Sequence, residues 1–149
     1  MKNLLLFVFY FLLLKSNLFA QEKIFYNDDA NQIIQGTSLL RFKDYHEIPD
    51  FIKFADNTNI SLDELNEWMK NVLKIIPELN YKIISTEVEL NNNKHYRCLQ
   101  TYKNIPIFDA NFIIHTSNNI INSINGTLYK SINVNIDKPY INEQTALKL

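Results

Sequence analysis

Three histidines and one cysteine are the residues of this 149-residue chain best suited to metal or nucleophile chemistry. His46-Glu47-Ile48-Pro49-Asp50 begins like the H-E-x-x-H zinc helix, in which two histidines one turn apart share a helix face. It departs from that pattern twice. The fifth residue is Asp50, and Pro49 breaks the helix that would present both ligands. His95 and His115 fall on different predicted strands and are able to approach one another, but no paired carboxylate cluster accompanies them, so they read as satisfied or surface histidines. Cys98 lies in an apolar strand with no flanking signal for a low pKa, and reads as a buried structural thiol. No G-x-S-x-G elbow occurs, and no carboxylate pair stands at helical spacing. The expectation is therefore no catalytic residue, no cofactor site and no metal site within these residues. Asn59 and Asn125 open two N-x-S/T sequons, which carry meaning only in a eukaryotic secretory route.

Composition excludes further classes. A net charge of −1 gives no basic face of the kind that binds nucleic acid. Two glycines leave no room for glycine-rich phosphate loops or dinucleotide fingerprints, and a single cysteine forms neither an intrachain disulfide nor a cysteine zinc site. With 46% hydrophobic residues the chain has enough apolar surface for one packed domain.

The first twenty residues look like an address rather than a part of the fold. Lys2 precedes an unbroken apolar run from Leu4 to Leu14. Its 11 residues are too few for a bilayer span of about 20 but suit a signal-peptide core. The small residue Ala20 places the expected cut between Ala20 and Gln21. Loss of Lys2 and Lys15 leaves 13 basic and 16 acidic residues, a charge of −3, on a secreted or extracytoplasmic product with no stable membrane insertion.

Residues 21–59 alternate short apolar pieces with Asn and Asp, and are expected to form an irregular N-terminal arm with one or two strands. A helix follows. Ser61 and Glu64 make a capping box, and Asp63 and Glu64 favour the positive end of the helix. Leu65, Trp68, Met69, Val72, Leu73 and Ile76 recur on one stripe until Pro77 ends the element. From Tyr81 onward the pattern is strands. Tyr81–Leu90, His95–Tyr102, Ile107–Thr116 and Ile120–Asn125 are separated by asparagine-rich turns, and Leu128–Val134 continues or bends the last one. Short turns imply antiparallel pairing. The expected fold is α+β, one amphipathic helix on an antiparallel meander of about four strands, in a cystatin/PepSY-like arrangement. Asn142 to Leu149 reads as the first turns of another helix, as if the chain were the front of a longer protein.

Arg97-Cys98-Leu99-Gln100-Thr101-Tyr102-Lys103-Asn104-Ile105-Pro106-Ile107-Phe108 resembles the signature strand pair of the fungalysin/thermolysin propeptide (FTP) domain, which runs Arg, two variable positions, Gln, x, Tyr, x, Gly, Ile/Val, Pro. Ile113-Ile114-His115 is similar to that family's hydrophobic-hydrophobic-His element, and Ile121 to Leu128, with Asn125-Gly126, to its closing strand. The Trp68 helix and Phe51-Ile52-Lys53-Phe54 also resemble the front of secreted thermolysin-like zymogens. Asn104 stands where the family has a turn glycine, Asp109 or Ala110 replaces a later one, and Leu99 takes the place of a second Gln.

The resemblance implies a propeptide that assists folding of, and then inhibits, the zinc peptidase domain of the same protein, with zinc expected only in that downstream domain. On this reading residues 60–136 form the FTP-like domain and 137–149 open a following PepSY-type segment. The hairpin places apolar groups outward, so Gln100, Tyr102, Ile105, Pro106, Ile107 and Phe108 are the candidate partner contacts. The alternative is a free-standing secreted or periplasmic module that binds a ligand or protein on its sheet.

Overall fold

The computed structural model describes residues 22–43 and 46–134. The signal segment with its Ala20–Gln21 cut, and the helix start at Asn142, lie outside the described residues. Among the described residues no helix is long and apolar enough to cross a membrane.

The chain runs β1 (Lys23–Tyr26), α1 (Asn27–Ile33), β2 (Thr37–Phe42), β3 (Phe51–Phe54), α2 (Leu62–Asn71), β4 (Leu79–Val88), β5 (Asn93–Tyr102), β6 (Ile105–Ser117) and β7 (Ile120–Gly126). All seven strands join one antiparallel sheet in the order β1-β2-β3-β7-β6-β5-β4. The fold class is α+β, and the β4–β7 meander has the expected order. Two corrections apply to the expected four strands, single helix and cystatin/PepSY-like arrangement. The sheet has seven strands, and a second helix stands between β1 and β2. The stretch expected as an arm is the other half of the sheet. It joins where Phe51, Ile52 and Lys53 of β3 pair with Asn125, Ile124 and Ser123 of β7. Asp50 secures this joint. It is 5% exposed, takes two hydrogen bonds from the Arg41 guanidinium at 3.0 and 2.7 Å, and its carbonyl accepts from Gly126 N–H. The expected one or two strands of this stretch include Phe51–Phe54, but with four residues each β1 and β3 are too short for an alternation that would show their place in the sheet. The α1 helix, Asn-Asp-Asp-Ala-Asn-Gln-Ile, buries only Ala30 and shows no apolar stripe.

The α2 helix begins as its residues require: the Glu64 carboxylate accepts from the Ser61 N–H at 2.9 Å and from the Ser61 hydroxyl at 2.6 Å. Leu65 and Met69 are buried in one core with Ile52, Phe54, Phe112 and Ile114 of the sheet. Trp68 meets Phe54 edge-on at 5.0 Å. The helix stops at Asn71, earlier than the stripe suggests. Lys74 turns left-handed at φ 57°, and Ile75 N–H reaches back to the Met69 carbonyl. Pro77 disfavours helical backbone in the residue before it, so the chain leaves the helix ahead of that point. Val72 is consequently exposed, while Leu73 and Ile75 still reach the core.

In β4 the pairing slips between Ile83 and Ser85, where Ile84 is the extra residue of a bulge. The strand is the sheet's outer edge, and Ile84, Val88 and Leu90 are exposed, so the alternation there does not mark a core face.

Candidate functional site

The β5–β6 hairpin turns on two residues, Lys103 and Asn104, both left-handed at φ 49° and 67°. Such a turn matches the twist of paired strands, and its usual residues are Asn and Gly. Asn104 thus fills a glycine's position at modest strain. Ser117-Asn118-Asn119-Ile120 repeats the device between β6 and β7, at φ 52° and 67°.

After the turn, Pro106 pairs with Thr101, but the next matched pair is Asn111 with Leu99. Five steps along β6 therefore oppose two along β5, and the extra residues arch out with Asp109 at φ 64°. Phe108 crowns the arch at 97% exposure, and Ile105 at the turn is 53% exposed. Leu99, Pro106, Ile107, Phe108, Asp109 and Asn111 line an open, mainly apolar groove of about 420 Å³.

The six candidate contact residues divide between surface and interior. Ile105, Pro106 and Phe108 are exposed, and Ile107 is half-buried beside them. Tyr102 is half-buried and packs against the core. Gln100 is 0% exposed. Its amide is spent inside the fold, donating to the Tyr129 carbonyl at 2.9 Å and accepting from the Tyr129 N–H at 2.8 Å. This pair of bonds folds the segment after β7 back under β5, where Lys130 carbonyl also accepts from Ile76 N–H. Leu128 to Val134 thus leaves the line of β7 and returns to the core, where Leu128 is buried and Ile132 packs against it.

Gly126 has a role that spacing does not reveal. At φ 133° its backbone runs so close to β6 that a Cβ would sit 2.3 Å from the Asn111 carbonyl oxygen and 2.5 Å from Phe112 Cα. Only glycine fits. The Thr127 N–H then bonds that same carbonyl at 2.8 Å, which closes the ladder just beyond the arch.

The chemistry-bearing residues are also placed. His46 is exposed, Asp50 is tied to Arg41, and residues 46–50 are not helical, so the broken zinc motif assembles nothing. Among the described residues no three His, Cys, Asp or Glu side chains converge as a metal site. Cys98 is buried, and burial pushes its thiol up to about 12, far from a nucleophile's range. His95 and His115 do meet, directly opposite each other in the β5–β6 register, with facing Nδ1 atoms 2.6 Å apart. Spacing alone left this contact open, because it depends on the hairpin register.

One observation on ancestry now joins the geometry. Residues 80–128 match the family model of the Fungalysin/Thermolysin Propeptide Motif. The matched span, about a third of the chain, starts in β4 and ends just past Gly126. It includes Gln100 but not its partner Tyr129, together with the asparagine turn, the arch and the Gly126 close approach. No curated protein and no solved structure matches the chain. The motif is that of a peptidase propeptide.

Proposed function

We propose that this chain is the propeptide region of a secreted thermolysin-like zinc metalloprotease, acting as chaperone and inhibitor of the peptidase domain of the same protein. The single observation that carries the reading is the propeptide-motif match over residues 80–128, the span that builds the hairpin and its arch. Physically, a preformed surface lowers the barrier to folding a partner by holding part of it in place, and then covers the partner's cleft. Phe108 and Ile105 supply exposed apolar anchors beside a groove, and such anchors decide affinity more than total area does. On this reading residues 1–20 are a leader cut before Gln21, the product works outside the cytoplasm, and the propeptide holds no zinc of its own.

The test adds this chain in trans to its own unfolded peptidase domain and measures recovered peptidase activity, then inhibition of the mature enzyme. A raised refolding yield together with inhibition supports the reading. Phe108→Ala, with circular dichroism unchanged, should weaken both effects. If the folded chain neither raises yield nor slows peptide cleavage at tens of micromolar, the chaperone–inhibitor reading fails. A secreted binding module that uses the sheet face is then the better account.

A further inference from the structure

The helix-free face of the sheet carries a polar chain that the propeptide reading does not use. Glu89 Oε1 lies 3.0 Å from His95 Nε2, His95 Nδ1 lies 2.6 Å from His115 Nδ1, and His115 Nε2 lies 2.5 Å from Asn125 Oδ1. The rings meet edge-on with centroids 4.8 Å apart. The chain ties the β4–β5 turn to β5, β6 and β7.

Counting protons shows what it can do. The Glu89 carboxylate lies below the usual carboxylate range, first because of the His95 hydrogen bond and then that of Asn93, so it accepts and His95 Nε2 carries a proton. Asn125 Oδ1 also accepts, so His115 Nε2 carries a proton. With both Nε2 atoms protonated, the Nδ1–Nδ1 contact needs one donor and one acceptor, so it closes only when one further proton lies between the two rings. Three protons on two rings make one positive charge, opposite Glu89. A fourth proton sets two N–H groups head to head and two cations side by side, and the contact cannot persist.

The surroundings do not relieve that second charge. Glu87, opposite His95 on β4, holds Arg97 at 3.1 Å. Lys53 of β3 stands beyond Ser123, the β7 partner of His115. The Lys94 ammonium is held by Asn119 at the neighbouring turn.

We propose that Glu89, His95, His115 and Asn125 form an acid-sensitive latch, closed by one proton shared between the facing ring nitrogens and opened when the pair takes up another. Histidine is the side chain suited to this between pH 5 and 8. The latch stands whether or not the chain serves a peptidase.

The experiment follows ring and side-chain amide resonances of the isotope-labelled full chain from pH 8 to 5. The Asn125 side-chain amide should move together with both rings. In His95→Gln the titration of His115 should change from that of the parent, because two rings that share a proton titrate as a pair. An unchanged His115 midpoint overturns the proposal. Glu89→Gln, in an exposed turn, spares the fold and decides the matter if His95→Gln does not fold. Loss of the carboxylate should move the opening to lower pH, since a nearby anion favours the charged rings. An opening that stays in place overturns it.

Discussion

The Gln100 side chain has no exposed surface and spends both ends of its amide on the Tyr129 backbone. Replacing it with Leu keeps most of the volume, so little cavity opens, and the cost falls on two hydrogen bonds. Each contributes about 0.5–1.5 kcal/mol net. Gln100→Leu should therefore destabilise by about 1–3 kcal/mol. Urea unfolding followed by tryptophan fluorescence measures this, since Trp68 packs on Phe54 in the folded state. The Tyr129 amide should also lose hydrogen-exchange protection ahead of the strands, because its anchor is gone. Gln100→Glu keeps the acceptor but turns a carboxylate toward the Tyr129 carbonyl. It should cost more than Leu at pH 7, and the gap should narrow as acid protonates it. If Gln100→Leu unfolds within about 0.5 kcal/mol of the parent, the clamp does not hold the segment after β7. Loss of partner binding with unchanged stability would instead mean that Gln100 acts at a surface.

Three further outcomes follow from the packing. Gly126→Ala should cost upwards of about 3 kcal/mol, seen as a lowered thermal midpoint, because its Cβ has no space at β6 and its φ of 133° is foreign to other residues; an unchanged midpoint would mean that the strands do not approach so closely. Cys98 should resist iodoacetamide at pH 8 until denaturant is added, as burial pushes its thiol up to about 12; equal labelling with and without denaturant would contradict its placement. Tyr81 is pushed up to about 12, first by burial and then by nearby Cys98 and Asp63. Its phenol stays neutral in the fold while the unfolded chain ionises near pH 10, so its contribution is intact below about pH 10 and fades toward about pH 12; alkaline unfolding that is no less steep in Tyr81→Phe would refute this.

The residues that determined their structure locally were those whose causes lie within a few positions. Ser61 and Glu64 cap α2 by themselves, the Leu65–Met69 stripe finds the core, and Asn104, Asn118 and Asn119 make tight turns because their short polar side chains tolerate left-handed backbone. The β4–β7 meander follows, since such turns leave neighbouring strands no choice but to pair antiparallel. The exposed pair Ile105 and Phe108 was also legible, as apolar residues after a turn. What the sequence left open depended on distant partners. The β3–β7 pairing that doubles the sheet joins Phe51 to Asn125, and nothing near either residue encodes the other. Gln100 shares the inward face with Cys98 by strand alternation, but the Tyr129 backbone that satisfies its amide returns from 29 positions along the chain. His95 and His115 touch because the register sets them opposite each other, and a slip of one residue would turn one ring to the other face of the sheet. Local propensity reaches one turn or one hairpin. Register, close approach and burial are properties of the assembled sheet, and only tertiary structure decided them.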